Sequence, residues 1–392
     1  MAFYMLNVAF LLVTLIAYFA TRLGSVRLDH FVSGILFFAF LCMIAFRPST
    51  VRDTIPYIDL FNYMDSYQFT FGFGRPEFGA AGDMEIGFAN LCKVTSLISS
   101  SYQVFFFIVA LLTVGVGTFA AILISTSMND APTTQYRVLP AFILFVSYYG
   151  FMYTGIVLRS GLAISFCMLS YAMIYRKRYI FGLISFLLAF SFHSSALIFL
   201  IVLVSYLFLP TVKIRTYRII SLSIMGLYIL RVFDFFVGLV IQFTRFLATQ
   251  VSFPSFIEYH LSLDYRGSSF LKTILFFMVE FVYLTFCFND TISKQQKKNL
   301  NAILVVSIIA GLFGFLPIVT RVIDVLFVVI IPPLLYTLIG TTSDEHITLG
   351  KTITLRKLPL CVLGIGVIAV ANFLLFSRWA GYLELVKETL LR

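Results

Sequence analysis

The sequence predicts an all-α, polytopic integral membrane protein of about twelve transmembrane helices, with further helices in its outer loops. Three observations predict it. Of 392 residues, 60% are hydrophobic and 12% charged, where a soluble chain carries roughly 25% charge. Mean hydropathy is +0.98. Apolar runs of about 18 to 20 residues recur throughout, each long enough to cross a hydrocarbon core of about 30 Å as a helix.

The expected spans lie near 3–20, 31–46, 102–125, 138–153, 157–175, 180–192, 194–209, 219–233, 270–288, 299–316, 320–339 and 358–376. The first is expected to be a retained helix rather than a leader, because nothing basic precedes it and no A-x-A-like site follows. Residues 86–100 are too short and polar to span, so an interfacial or re-entrant helix is expected there. Residues 234–250 suggest an amphipathic helix on the outer surface. Without an internal repeat or a low-complexity segment, residues 1–392 form a single membrane domain.

Loop charge sets the orientation. Arg22/Arg27, Arg137, Arg176–Arg178, Lys213–Arg218, Lys294–Lys298 and Lys351–Lys357 mark short basic loops, which belong in the cytoplasm. The two long loops, near 47–101 and 234–269, then face outward with most of the acids. The formal charge of +10 is scattered rather than gathered into a patch, so nucleic acid is not an expected partner. Basic clusters flank 180–209 at both ends, so the chain must enter and return, with His193, Ser194 and Ser195 in the turn. One long tilted helix is the competing reading.

No phosphate-binding loop, HExxH, GxSxG or paired CxxC motif is present, so no metal or cofactor is expected. The glycines of FGFGRPEFG (71–79) read as a flexible loop. The remaining polar residues converge on the outer face. Arg47, Arg52, Asp53, Tyr57, Asp59 and Tyr63 follow the second span, and Glu85 opens the re-entrant segment. Arg159 starts the fifth span and His193 tips the hairpin. Glu258, Tyr259, His260, Asp264, Tyr265 and Arg266 crowd the second long loop, and Arg321 and Asp324 open the eleventh span.

Each has a plainer reading. Arg47 and Arg52 suit snorkelling anchors, and Arg321/Asp324 an ion pair on one helix face. His193 suits a carbonyl-satisfying turn residue, the 258–266 cluster a solvated loop, and Glu280 a structural partner. Collectively the arginines point further. Guanidinium forks grip phosphate oxygens bidentately, so an outer site lined by Arg52, Arg159, Arg266 and Arg321 suits a lipid with a diphosphate head. Asp59, Glu85 or His193 would serve to deprotonate a sugar hydroxyl.

Three stretches carry a family resemblance: RDTIPYIDLFNYM after the second span; LRSGLAISF, followed about 34 residues after its arginine by FHSSALIFL; and FLPIVTRVIDVLFVVIIPPLLY. In these the chain resembles the Wzy-type O-antigen and exopolysaccharide repeat-unit polymerases, specifically the EpsG-like branch. The second stretch is the specific one.

The resemblance implies a GT-C-like glycosyltransferase of the bacterial inner membrane, with its active site facing the periplasm. Donor and acceptor would be oligosaccharides on undecaprenyl diphosphate, with membrane lipid around them and a separate polysaccharide co-polymerase controlling chain length. Arg159, His193 and Arg321 match family positions, and Arg52, Asp53 and Tyr63 match more loosely. Arg159 and Arg321 would hold the donor diphosphate. An O-antigen ligase-like enzyme is the first alternative and a lipid-linked oligosaccharide flippase the second. Transporters bind near the midplane between repeats, whereas these charges gather towards one face. A membrane acyltransferase, resting on His193, is the third.

Overall fold

The computed structural model describes residues 2–22, 25–72, 75–78, 83–128, 137–211, 213–232 and 294–314, the strand segments 346–349 and 353–356, and a few positions between 242 and 325. The chain forms two compact units, one of Met1–Leu197 with Ile331–Arg392, the other Ile198–Ile330. Four helical stretches among the described residues are long and apolar enough to cross a membrane: Val26–Ala45, Tyr102–Ile124, Val138–Gly155 and Leu158–Tyr175. They coincide with the second to fifth expected spans. The greater part of the spans expected at 270–288, 320–339 and 358–376 lies outside the described residues, as does nearly all of the amphipathic helix expected at 234–250.

In the first unit the helices are α1 (Ala2–Arg22), α2 (Val26–Ala45), α3 (Thr54–Tyr63), α4 (Ile86–Ile98), α5 (Tyr102–Met128), α6 (Val138–Phe145), α7 (Phe151–Gly155), α8 (Leu158–Tyr175) and α9 (Tyr179–Phe192). A π-turn, Val146–Gly150, joins α6 to α7. α4, with 13 residues, is too short to span, as its polarity predicts. α3 is a helix within what the sequence presents as loop.

Two helix ends are satisfied across the bundle. Asp29 of α2 accepts from the first amides of α6, Val138 N at 2.7 Å and Leu139 N at 3.2 Å. Arg137 donates to the Thr21 carbonyl at the end of α1, 2.6 Å away. A carboxylate thus meets a helix N-terminus and a cation a C-terminus, as unpaired amides and carbonyls favour.

α8 and α9 form the hairpin that places the site. Lys177 takes a left-handed conformation (φ 62°), and Arg178 N donates to Met173 O at 2.8 Å, which reverses the chain in three basic residues. Gly182 lets the arms close, since a Cβ there would stand 2.6 Å from Ile174 Cγ1. Arg176 is tied to Ser127 and Thr126 at the end of α5. At 1.5 Å per residue, α8 separates this basic turn from Arg159 by about 25 Å, close to the thickness of a bilayer core. α9 runs back, so His193 returns to the Arg159 end. There α9 stops: His193 is extended, and a 3-10 turn, Ser194–Ile198, follows. The helix break expected at 193–195 is present, and no single helix runs through 180–209.

The second unit contains α10 (Phe199–Phe208), α11 (Ile214–Ile229) and α12 (Lys294–Phe313). Glu280, inaccessible to solvent, is the structural carboxylate its position suggests. Its Oε1 accepts from Tyr217 Oη at 3.2 Å, Ser221 Oγ at 2.8 Å and Ser307 Oγ at 2.5 Å. Glu280→Gln keeps an acceptor for these hydroxyls and is expected to preserve the melting temperature of the solubilised protein. Glu280→Leu strands the donors and is expected to cost about 1–3 kcal/mol. Residues His346–Leu349 and Ile353–Arg356 pair as a short antiparallel β1–β2 hairpin, a departure from all-α at an expected basic loop.

Candidate functional site

The site is built around one buried carboxylate, Glu85. It lies just before the first turn of α4, where its backbone carbonyl accepts from Phe88 N and Ala89 N at 3.0 Å. Negative charge is favourable at that end of a helix. The chain leading to it is pinned to α4 by side chains. Tyr67 Oη donates to Asn90 Oδ1 at 3.1 Å, Asn90 Nδ2 to Thr70 O at 2.7 Å, and Lys93 Nζ to Met64 O at 2.6 Å.

α4 then docks on α9 through two small residues. A Cβ on Gly87 would lie 2.3 Å from Ser191 Oγ, so only glycine allows this approach. Gly87 follows Glu85 by two positions and Ser191 precedes His193 by two. The same contact therefore brings the carboxylate to the end of α9.

Arg159 occupies the first turn of α8, where the helix dipole disfavours a cation. Glu85 compensates: Arg159 Nη1 donates to Oε2 at 2.6 Å, and to the Asp83 carbonyl at 3.3 Å. The Tyr57 phenol lies near enough to Arg159 for the two to interact electrostatically. On the other side, Arg75 Nη2 donates to Glu85 Oε1 at 3.0 Å and to Ser194 Oγ at 2.5 Å. Ser194 N adds a longer contact to Oε1, 3.4 Å, and His193 Nδ1 lies 3.7 Å from the same oxygen.

Burial pushes the Glu85 carboxyl up, but Arg159, His193 and Arg75 outweigh it and hold it below the ordinary carboxylate range. Glu85 is therefore ionised near neutrality. Burial pushes the Tyr57 phenol up despite the neighbouring Arg159, so it remains neutral. Two guanidiniums against one carboxylate leave an excess of positive charge. Arg75, with 46% of its side chain exposed, is the arm nearest solvent.

A second buried guanidinium braces the site from beneath. Arg47 is 4% exposed; its Nε donates to Thr54 Oγ1 and its Nη1 to Thr154 O, each at 3.1 Å. Its Cζ lies 3.7 Å from the centre of the Phe106 ring. Burial lowers its pKa to about 10, which still leaves it charged. Arg47 is not a snorkelling anchor; it ties the start of α3 to the end of α7.

Of the residues singled out in the sequence, the fold brings together Glu85, Arg159 and His193. The exposed Asp59 lies off this cluster, because α3 buries Thr54, Tyr57, Leu60 and Phe61. That spacing turns Tyr57 inward and Asp59 to the open face. Arg52 pairs with Asp53 at 3.7 Å, both substantially exposed. Tyr63 packs edge-on against Phe78. Arg266, the rest of the 258–266 cluster and Arg321 lie outside the described residues.

Arg75 is the residue that sequence reasoning missed. It sits among glycines that read as loop, and its only signal was being the lone cation between acidic Asp65 and Glu77, Asp83 and Glu85.

No curated protein and no solved structure matches the chain. A family model described as EpsG family matches residues 30–355, a stretch that takes in every residue of the Glu85 cluster. With most of its length covered, the chain belongs to the EpsG family.

Proposed function

We propose that the protein is an inner-membrane glycosyltransferase that polymerises oligosaccharide repeat units carried on undecaprenyl diphosphate, with the Glu85 cluster as the grip for the donor diphosphate. Family membership supports a polymerase of surface polysaccharide at the coarse level. The observation that carries the finer reading is the gathering of Arg159, Arg75 and His193 on one buried carboxylate, at the end of α8 opposite its basic turn. Basic loops favour the cytoplasm, so this end belongs on the periplasmic face.

Glu85 keeps the two guanidiniums ordered. A diphosphate then competes for the same forks without the cost of arranging them. In the reaction the acceptor hydroxyl oxygen bonds to the donor anomeric carbon, and the bond from that carbon to the diphosphate oxygen breaks. The electron pair leaves with undecaprenyl diphosphate, where Arg159 and Arg75 offset the growing charge. The acceptor proton passes to a base. Arg52, Asp53, Asp59 and Tyr63 on the neighbouring segment are proposed to meet the sugars, and Arg266 and Arg321 to complete the anionic-head site. About twelve spans in a GT-C-like arrangement would enclose the lipid, with a separate chain-length regulator as partner.

The test is to incubate purified protein in lipid discs with lipid-diphosphate repeat units. A ladder of polymer sizes is expected. Transfer only to a lipid A core acceptor would replace the polymerase with a ligase, and translocation without transfer would make it a flippase.

A further inference from the structure

The open face of α3 carries three polar groups within little more than one turn. Asp59, Asn62 and Tyr63 stand at i, i+3 and i+4, and all three are exposed. With about 3.6 residues per turn they fall within about 100° of arc, opposite the side that buries Thr54, Tyr57, Leu60 and Phe61. Among the described residues, the Asp59 carboxylate, the Asn62 amide and the Tyr63 hydroxyl are uncommitted to any partner. Ile55 and Pro56, also exposed, continue the face one turn earlier, so its polar half is the one that ends at Tyr63.

Tyr63 differs from an ordinary surface tyrosine in what holds it. It is 47% exposed, yet its ring packs edge-on with that of Phe78, the centroids 5.8 Å apart. Phe78 is buried and rests in turn against Tyr67, 5.2 Å away, whose hydroxyl donates to Asn90 of α4. That is the helix which Glu85 precedes. Phe78 also follows Arg75 by three positions, at most about 11 Å along the chain. The stretch between them is clamped beside Glu85, since Met84 N donates to Pro76 O at 3.2 Å and Glu77 bridges to Asp83. The Tyr63 ring and the Arg75 guanidinium therefore hang from one scaffold.

A braced aromatic ring beside a carboxylate and a carboxamide has the chemistry that recognises a pyranose. The negative face of the ring attracts the partly positive C–H groups on one side of the sugar. The carboxylate accepts from hydroxyls, and the carboxamide both donates and accepts. No cation pairs with Asp59 among the described residues, so a sugar bearing its own carboxylate meets repulsion there.

We propose that Asp59, Asn62 and Tyr63 form a saccharide subsite that stacks an uncharged pyranose on Tyr63 and selects against uronic acids. This rests on the reading of the Glu85 cluster as a lipid-diphosphate grip and deepens it, the subsite taking a sugar of the chain whose diphosphate the grip holds. It gives Asp59 the work of binding rather than of proton removal, in keeping with its place off the cluster.

Binding to the full chain in lipid discs is measured with three probes: farnesyl diphosphate, and the same lipid diphosphate bearing glucose or glucuronic acid. In wild type, glucose is expected to tighten binding about three- to tenfold over the bare diphosphate, the scale of one aromatic contact, and glucuronic acid to add nothing. Tyr63→Phe keeps the ring and should retain the gain. Tyr63→Leu keeps bulk against Phe78 without an aromatic face and should lose it. Asp59→Asn should remove the discrimination against glucuronic acid. The farnesyl diphosphate affinity of each variant reports whether the loop bearing Arg75 is intact. A glucose gain that survives Tyr63→Leu overturns the subsite, as does equal weakening of all three probes, the result for a ring that only anchors to the bilayer surface. Equal binding of bare and glucose-bearing lipid in wild type also overturns it and leaves the diphosphate grip standing. A Tyr63-dependent glucose gain without measurable binding of farnesyl diphosphate keeps the subsite and removes the grip; binding of no probe removes both.

Discussion

Arg159→Ala is expected to abolish polymer formation while leaving a folded, membrane-inserted protein. Arg159 makes the shortest contact to Glu85, 2.6 Å, from a side chain 26% exposed, close enough to solvent to meet a ligand. Removing one donor aimed at developing charge costs about 10²–10³-fold in rate, and the loss of its Coulomb attraction for a diphosphate adds to that. Arg75 and the Ser194 amide still satisfy Glu85 Oε1, so the carboxylate is not abandoned and the hairpin of α8 and α9 keeps its packing. Arg159→Lys is expected to recover little, because an ammonium has no planar fork with which to hold two oxygens at once. Consumption of lipid-linked repeat units, read against thermal melting of each variant, checks both parts. Wild-type chain lengths from a folded Arg159→Ala protein would remove Arg159 from the reaction.

Glu85→Ala is expected to act on the fold first and on activity as a consequence. It strands two guanidiniums and a backbone amide around an empty space, and breaking a buried ion pair from one side costs about 3–5 kcal/mol. Most of that belongs to Arg159; half-exposed Arg75 contributes little through the screening of water. Glu85→Gln keeps the size and one acceptor and should fall between.

The pH dependence carries a sign. Because the folded carboxyl titrates below its ordinary value of 4.5, the stability it supplies is complete above that value and disappears as pH falls through the lower folded one. Melting temperature measured downward from neutrality should therefore drop more steeply in wild type than in Glu85→Gln. Parallel curves for the two proteins would show that Glu85 is not held as an anion.

The helices of the first unit were legible because an apolar run of bilayer length has few alternatives. The second to fifth expected spans appear with ends shifted by only a few residues, and the break at His193 falls between the basic clusters that demanded it. Charge placement told which end of α8 carries the polar site. α3 was less legible, since TIPYIDLFNY mixes polar and apolar residues at a density that reads as loop. Its helical spacing has meaning only against Phe88 and Phe105, on which Tyr57 and Phe61 rest.

Within the site, Glu85, Arg159 and His193 stood out because ionisable groups are costly beside apolar sequence. The sequence offered Asp59 as a base and Tyr57 only as a nearby polar residue, and α3 turns Tyr57 inward and Asp59 to the open face. Arg75 had no such contrast with its neighbours, and a glycine-rich loop announces freedom rather than a destination.

By itself the sequence determined the membrane class, the order of the first spans and the end of the bundle where charge collects. These follow from local chemistry: hydropathy over some twenty residues, and the cost of carrying lysine and arginine across a bilayer. Only the tertiary structure decided that one carboxylate gathers Arg159, Arg75 and the turn at His193. That outcome depends on a glycine-to-serine contact between α4 and α9. Such contacts join residues about a hundred positions apart, and no local pattern specifies them.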